Sequence, residues 1–500
     1  MIMPKICAAS AVLAAVVNAV PTIRDAPVAK RGNDKEHYAN NIALAAFALQ
    51  RFWYNQSTGL WDNAWWNSGN ALTTLADWAS LRPMEAESLE ISDVIHNTWS
   101  RAQNVTVFTL KTLMSNGMMK TENCINGEGP ACGAAAAAAA AASAAGVQPQ
   151  AFRNFLNDFY DDEGWWALGL IHAYDYTHRQ EYLDSAVRIF SDMQGGGNTN
   201  CQGGIYWSKK RNYVNAIANE LYLSVAASLA NRIPSDKGKY TSIAESQWKW
   251  FANSGMINGD NLINDGLNDQ CNNNGQPTWT YNQGVVLGGL VELYKATGNR
   301  DYLNRANSLA SVSMRKLVDG NGILVEGCEY DRGHCGADGA QFKGVYARNL
   351  RYLDQASPSN DIKRFLTRNS DSIWDKDRQE NNNKLGVAWA GPLYSPIGNA
   401  HSSAMDALLG AVAALGLALL ESFSFDLKLQ VPSVVCCQRA GWPSIDKVRM
   451  MARAVARTAE SSTSPAAGQF FQYMLGFEPQ IIRDEGKRSL AMASMTRDPS

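Results

Sequence analysis

Apolar residues recur every three to four positions through most of residues 38–420. This spacing predicts amphipathic helices, separated by loops rich in Gly, Asn and Asp. Period-two alternation, the pattern of a half-buried strand, is nearly absent. The predicted helices span residues 38–52, 71–80, 91–101, 108–114, 165–176, 182–193, 216–231, 240–254, 284–297, 302–317, 341–353, 362–373 and 402–420.

Two segments of the chain repeat a helix–turn–helix unit. Residues 173–186 (AYDYTHRQEYLDSA) and 293–306 (LYKATGNRDYLNRA) share a spacing of Tyr, Thr, Tyr-Leu and Ala. Helical hairpins with short turns at one end and long loops at the other are typical of an all-α toroid. Because the long loops of such a ring gather on one face, we expect the binding site there.

Three parts of the chain depart from this helical pattern. Residues 1–19 have the short basic region, the apolar run and the small-residue cleavage site of a secretory signal peptide, and residues 20–37 are interpreted as a propeptide or linker. Residues 121–150 contain a run of alanines and are predicted to form an exposed low-complexity insertion in a catalytic domain over residues 38–420. Residues 421–500 are expected to be a poorly ordered tail.

The composition describes a globular protein with a large core. The chain has 500 residues, of which 46% are hydrophobic and 18% charged, and a net charge of -2. This charge gives no electrostatic reason to expect nucleic acid or an anionic membrane as a partner. Secretion favours disulfides, and six cysteines remain once Cys7 and the adjacent pair in the tail are set aside. We favour Cys124 with Cys132, Cys201 with Cys271, and Cys328 with Cys335, and the other pairings among the fifteen possible stay open.

Two N-glycosylation sequons, at Asn55 and Asn104, predict surface positions. The tail has no terminal hydrophobic segment of the kind that a lipid-anchor signal requires. We therefore expect a glycoprotein that is secreted or held at the cell wall. A membrane-anchored form would follow if the C-terminal sequence came from an incorrect gene model.

Residues 157–177 (NDFYDDEGWWALGLIHAYDYT) have the strongest chemical signal. Asp161 and Asp162 are adjacent where a loop enters a helix, and two tryptophans follow within a turn. Carboxylate pairs cleave glycosidic bonds, one as the nucleophile and one as the proton donor. Helix capping also explains an aspartate pair. A magnesium-binding DDxxD motif is a third alternative, which Trp165 at the third carboxylate position disfavours.

Residues 160–177 (YDDEGWWALGLIHAYDYT) resemble the signature of glycoside hydrolase family 76, the endo-α-1,6-mannanases of bacteria and fungi. The resemblance continues, in the family's order, through residues 201–230, 248–271, 279–298, 336–350 and 372–378, including the blocks NDGLNDQC and WTYNQG. It implies an (α/α)6 barrel and a retaining endo-hydrolase of α-1,6-mannan. It also implies that Asp161 is the nucleophile and Asp162 the general acid/base. We expect a monomer with no cofactor and no metal.

Further residues are weaker candidates for contacts with the substrate. The aromatic rings predicted to stack on mannose are those of Trp165, Trp166, Trp207, Trp279 and Tyr281. Trp166, at helical spacing, also suits the core. The polar groups predicted to hold sugar hydroxyls, or else to stabilise their own loops, are those of Asp265, Asn282 and Gln283. Asp338 and Lys343 are the weakest candidates, and Lys343 is equally well explained as a surface charge.

Two other functions fit the same sequence. A transglycosylase that acts on cell-wall mannan or on a GPI glycan would use the same aspartates, with an acceptor sugar in place of water. A carbohydrate-binding toroid without catalysis would not need the aspartate pair, so the intact pair argues against it. The alanine-rich insertion lies just upstream of the pair and is expected either to crowd or to extend the cleft.

Overall fold

The computed structural model describes residues 36–115, 117–145, 152–330 and 335–416, which belong to one compact unit. The predicted signal peptide, all but the last two residues of the predicted linker, and the predicted tail lie outside the described residues. No helix in the described part of the chain is long and apolar enough to cross a membrane. In chain order the helices and strands are α1 (Glu36–Trp53), β1 (Tyr54–Asn55), β2 (Leu60–Trp61), α2 (Trp65–Leu81), α3 (Pro83–Ser88), α4 (Ile91–Ala102), β3 (Val107–Leu113), β4 (Met119–Ile125), α5 (Cys132–Ala144), α6 (Tyr160–Thr177), α7 (Gln180–Met193), α8 (Ala216–Arg232), α9 (Lys237–Asn253), α10 (Thr280–Thr297), α11 (Asp301–Lys316), α12 (Gly336–Ala356), α13 (Asn360–Lys376), β5 (Arg378–Gln379), β6 (Lys384–Leu385) and α14 (Gly398–Ala414).

Six of these helices form a closed inner ring. In order around the ring they are α2, α6, α8, α10, α12 and α14, and α14 packs back against α2. The helices α1, α4, α7, α9, α11 and α13 pack outside them. This arrangement confirms the predicted (α/α)6 barrel.

Burial follows the two rings. Nearly every residue of α14 is buried, whereas α7 buries one stripe that includes Tyr182, Ala186, Ile189 and Met193. The inner helices also approach one another closely at glycine. A Cβ added at Gly344 would lie 2.4 Å from the Cα of Ser403 in α14, so only glycine fits at this crossing.

The helix predicted over residues 108–114 is wrong. Val107–Leu113 is strand β3, which pairs antiparallel with β4 and places Lys111 opposite Thr121. In β3 the alternate residues Val107 and Thr109 are buried, as in a strand that covers a core with one face. A short apolar run fits either period, so its periodicity alone could not decide between helix and strand.

The predicted insertion over residues 121–150 therefore begins inside this β3–β4 hairpin. Its alanine run forms α5, none of whose residues is buried, as predicted for an exposed insertion. Hairpin and helix are joined by the disulfide Cys124–Cys132.

The other two expected disulfides, Cys201–Cys271 and Cys328–Cys335, are also present. At the sequons, Asn104 is exposed and Asn55 is half-buried.

The sequence repeat corresponds to two equivalent corners of the barrel. Each copy contains the end of an inner helix, a tight turn and the start of the outer helix that follows, α6 to α7 and α10 to α11. His178 and Gly298 end the two inner helices in the left-handed conformation, with φ of 56° and 76°. The short turns lie at one end of the barrel, and the long loops precede the inner helices.

Candidate active site

A cavity of about 390 Å³ lies at the N-terminal ends of the inner helices. Its apolar lining includes the rings of Trp66, Trp165, Trp207, Trp279, Tyr281 and Phe342, and its acidic groups are Asp161, Asp265 and Asp338. Among the described residues that line it, Lys111 of the β3–β4 hairpin is the only lysine or arginine. Flat rings with a few acidic groups suit the apolar faces and hydroxyls of a sugar.

Asp161 lies in the first turn of α6, which begins five residues earlier than predicted. Its Oδ1 accepts a hydrogen bond of 3.0 Å from the backbone N–H of Asp162, and no side chain caps this helix at its N-cap residue Phe159. Its Oδ2 accepts a hydrogen bond of 2.9 Å from the indole Nε1 of Trp207. Asp161 lines the cavity, so this second bond fixes the direction of a carboxylate that faces the cavity.

Asp162 has a different environment, because its side chain is only 1% exposed. The Nζ of Lys111 lies 2.6 Å from its Oδ1, and the Nδ2 of Asn157 donates a hydrogen bond of 2.6 Å to its Oδ2. These side-chain contacts are not those of a helix cap. Burial raises the pKa of Asp162 to about 7, although Lys111 lowers it, and the neighbouring Asp161 raises it further. A carboxyl with this pKa can hold a proton near neutral pH.

The sequence did not reveal Lys111, which belongs to the misassigned strand β3. Its Nζ lies 3.7 Å from Oδ2 of Asp161 in addition to its contact with Asp162, and its side chain is 6% exposed. It also lies 4.6 Å from the ring centroid of Phe159 and 5.4 Å from that of Trp207. The alternation of Val107, Thr109 and Lys111 on one strand face was the signal that could have identified it.

A second buried acid, Asp265, lies across the same cavity. The phenol of Tyr213 donates a hydrogen bond to its Oδ2, and Asn274 Nδ2 donates one of 2.9 Å to that phenol oxygen. Burial raises the pKa of Asp265 to about 6, and the charge of Asp161 adds to this effect. Tyr213 and Asn274, which the sequence analysis did not single out, thus hold Asp265 in place.

Asp338, a weak candidate from the sequence, lines the cavity at the start of α12. Its Oδ1 accepts a hydrogen bond of 2.9 Å from Nε1 of Trp66, a residue not singled out from the sequence. It also lines an adjoining cavity of about 290 Å³, whose walls include Asn67, Thr121 and Asn399. No residue of α5 lines either cavity, whereas Thr121 and Pro130 of the predicted insertion line the smaller one, so the insertion contributes to the cleft wall through its residues before α5.

Three residues predicted to bind substrate do not line the cavity. Trp166 is fully buried between the rings of Trp65 and Phe155, with centroids 5.2 and 4.9 Å away. Asn282 is fully buried in α10, and Gln283 exchanges two hydrogen bonds of 2.8 Å with the backbone of Ile263. Successive residues of a helix point about 100° apart, so Trp166 and Asn282 do not share the direction of Trp165 and Tyr281, which line the cavity.

Lys343 is also remote from the cavity lining. It is fully buried, and its Nζ donates a hydrogen bond of 2.8 Å to the carbonyl of Val387 and contacts the carboxylate of Glu329 at 2.6 Å. The alternative explanation of Lys343 as a surface charge is therefore wrong. Its contacts join α12 to two loops.

An (α/α)6 barrel with an adjacent carboxylate pair among aromatic rings has the groups that an all-α glycoside hydrolase uses. The family model of glycosyl hydrolase family 76 matches residues 133–417. The chain belongs to this family.

Several curated relatives match part of the chain. Mannan endo-1,6-alpha-mannosidase DFG5 of Candida albicans is 28% identical over 214 residues, which cover 40% of this chain and 47% of that protein. Mannan endo-1,6-alpha-mannosidase DFG5 of Saccharomyces cerevisiae is 25% identical over 222 residues, 40% of this chain and 46% of that protein. The chain spans about half the length of the relatives it matches.

Solved structures share the fold. Dfg5 from Chaetomium thermophilum in complex with glucosamine gives a TM-score of 0.58 at 17% identity, over 77% of this chain and 92% of that one. The GH76A α-1,6-mannanase from Salegentibacter sp. HEL1_6 gives 0.56 at 18% identity, over 76% of this chain and 100% of that one. A variant of that enzyme with two consecutive aspartates changed to alanine is described as inactive and binds α-1,6-mannotetrose.

Proposed function

We propose that the protein is a retaining endo-hydrolase of internal α-1,6-mannosidic bonds in mannan. The observation that carries the proposal is the asymmetry of the aspartate pair. Asp161 faces the cavity, whereas Asp162 is buried with a pKa raised to about 7. Two neighbouring carboxyls in such different environments suit the separate roles of nucleophile and proton donor.

In the proposed reaction, Asp161 attacks the anomeric carbon and Asp162 protonates the departing glycosidic oxygen. The mannosyl group is then bound covalently to Asp161. Asp162, now ionised, takes a proton from a water molecule that releases the sugar. Retaining enzymes have carboxyls about 5 to 5.5 Å apart. The Nζ of Lys111 contacts both carboxylates, at 2.6 and 3.7 Å, which keeps the two groups close enough together to allow this separation.

The choice of α-1,6-mannan as substrate rests on the relatives, whose names state this activity, and on the α-1,6-mannotetrose complex of the Salegentibacter enzyme. In the present chain the rings of Trp165, Trp207, Trp279 and Tyr281 line the cavity and are proposed to stack on mannose. The adjoining cavity beyond Asp338 provides room for further sugar units, as cleavage inside a chain requires.

We propose a secreted or cell-wall location. Three disulfides suit an oxidising compartment outside the cytosol. Expression of the full chain in a fungal host, followed by immunodetection in medium, wall and cell fractions, tests this location. Detection in the cytosolic fraction alone would contradict it.

The function is tested by incubating the secreted protein with linear α-1,6-mannan and following products by size and by proton NMR. We expect shortened chains whose new reducing ends are first released as the α-anomer. Release of the β-anomer would refute the retaining mechanism. Products longer than the substrate would favour transglycosylation, and intact mannan that nevertheless binds the protein would favour a binding toroid.

A further inference from the structure

The proposed function gives no role to Lys111, which is the only lysine or arginine among the described residues that line the cavity. Lys111 lies on strand β3, outside residues 133–417 that match the family model. We propose that Lys111 is a positioning residue that tunes the acidity of Asp162, the proposed general acid/base. This inference rests on the proposed function for its kinetic consequences, but the contact itself can be tested without substrate.

Asp162 is held through both of its carboxylate oxygens. Asp162 has two oxygens, and each is within 2.6 Å of a nitrogen, Lys111 Nζ on one side and Asn157 Nδ2 on the other. Thr109 lies two residues before Lys111, and its hydroxyl accepts a hydrogen bond of 3.2 Å from the same amide of Asn157. One face of β3 therefore holds both the carboxylate and its amide partner.

The positive charge of Lys111 compensates a negative charge that forms on Asp162 during the proposed reaction. When Asp162 gives its proton to the glycosidic oxygen, a negative charge appears on a side chain that is 1% exposed. Water cannot solvate this charge well, and an unpaired buried carboxylate is strongly disfavoured. Lys111 provides the compensating charge in place beforehand, as a preorganised group does in catalysis.

Lys111 remains positively charged near neutral pH. Burial opposes its charge, but the carboxylates of Asp161, Asp162 and Asp338 outweigh burial and raise the pKa of Lys111. The contacts and charge interactions described for Lys111 and Asp162 involve these three aspartates, the neutral Asn157, and the rings beside Lys111. An ammonium that does not titrate near neutral pH exerts a constant effect on Asp162.

The hairpin that holds Lys111 is joined to neighbouring elements at two points, and one of them is a helix of the barrel. The Cys124–Cys132 disulfide ties β4 to α5. At the turn end, the side chain of Met118 packs against Gly339 of α12, so closely that a Cβ on Gly339 would lie 2.8 Å from the methionine methyl group. The ammonium is thus placed by a fixed element and not by a mobile side chain alone.

The direct test is a carboxyl titration by ¹³C NMR of protein labelled at aspartate, with the Asp162 signal assigned by its loss in Asp162→Asn. An opposite charge at this distance typically lowers the pKa of a carboxyl by about one to three units. We therefore expect Lys111→Met to raise the pKa of Asp162 by about that amount, and Lys111→Arg to leave it closer to the parent value. An unchanged titration in Lys111→Met would overturn the proposal, whether or not the protein cleaves mannan.

The kinetic test compares α-1,6-mannan with a dinitrophenyl α-1,6-mannobioside, whose leaving group needs little protonation. If Lys111 tunes the acid, Lys111→Met loses about tenfold or more in kcat on mannan and only a few-fold on the aryl substrate. Equal losses on both substrates would indicate a merely structural role and contradict the proposal. If the parent cleaves neither substrate, the proposed function fails while the titration still decides the role of Lys111.

The matched control is Lys120→Met. Lys120 lies on β4 of the same hairpin, is 54% exposed and pairs with Glu122 at 2.8 Å. Its replacement removes one positive charge from the hairpin without touching Asp162. We expect parent-like titration and kinetics. Thermal unfolding of all variants identifies any that fail to fold. If Lys111→Met is one of them, the titration is made with Lys111→Gln, which also removes the charge and should raise the pKa of Asp162 in the same way.

Discussion

Replacement of Trp207 by phenylalanine tests whether the indole orients the proposed nucleophile. The substitution keeps an aromatic ring in the cavity but removes the N–H that donates to Oδ2 of Asp161 at 2.9 Å. A hydrogen bond to a charged group is worth about 1.5 to 3 kcal/mol. Each 1.36 kcal/mol is tenfold in rate, so kcat/KM on α-1,6-mannan should fall by about 10- to 150-fold if this bond is fully used in the transition state.

The assay is release of reducing ends from α-1,6-mannan over a range of substrate concentrations. The matched control is Trp165→Phe, because Trp165 also lines the cavity but no described hydrogen bond joins it to Asp161 or Asp162. We expect the control to change kcat/KM by only a few-fold. If Trp207→Phe stays within twofold of the parent, the indole does not orient the nucleophile.

Two further predictions concern the barrel and the pH dependence of the reaction. Gly344→Ala should lower the free energy of unfolding by about 1 to 3 kcal/mol in a denaturant titration, because its Cβ would lie 2.4 Å from Ser403. Gly133→Ala is the control, because its added Cβ would meet no atom within 4 Å, and it should not lower the free energy of unfolding. Equal losses of stability in the two variants would show that the close approach at Gly344 does not determine stability. Since Asp162 must be protonated to act as the acid and its pKa is raised to about 7, the alkaline limb of kcat/KM should pass through half its maximum near pH 7 and fall about tenfold per unit well above it. Undiminished kcat/KM at pH 9 would show that Asp162 is not the acid.

The helical part of the fold was predictable because apolar residues recur with the same helical period in both rings, although the two rings differ in burial. Outer helices such as α7 have a single buried apolar stripe, and inner helices such as α14 are buried on nearly all sides. Helix starts were predicted several residues late at α6 and α10, since their first turns carry the polar groups of the site. Periodicity detects the packed face of a helix and not its functional end.

The site was predictable only where its residues are close in sequence. Asp161, Asp162 and Trp165 occupy one helical turn, whereas Lys111 meets Asp162 across 51 positions. That contact depends on the pairing of β3 with β4, which a short run of apolar residues did not specify. Adjacent candidates such as Tyr281 and Asn282 could not be separated, because the rotation of α10 in the ring decides which of them faces the cavity.

The measurement that tests the central claim most directly is mannan cleavage by Asp161→Asn and Asp162→Asn, each with its fold checked by circular dichroism. We predict that each variant loses activity on α-1,6-mannan by about 100-fold or more while it still binds the polymer. Asp161→Asn should form no covalent mannosyl-enzyme detectable by mass spectrometry of the denatured protein. Cleavage by both variants at the rate of the parent would contradict the assignment of the pair as the catalytic centre.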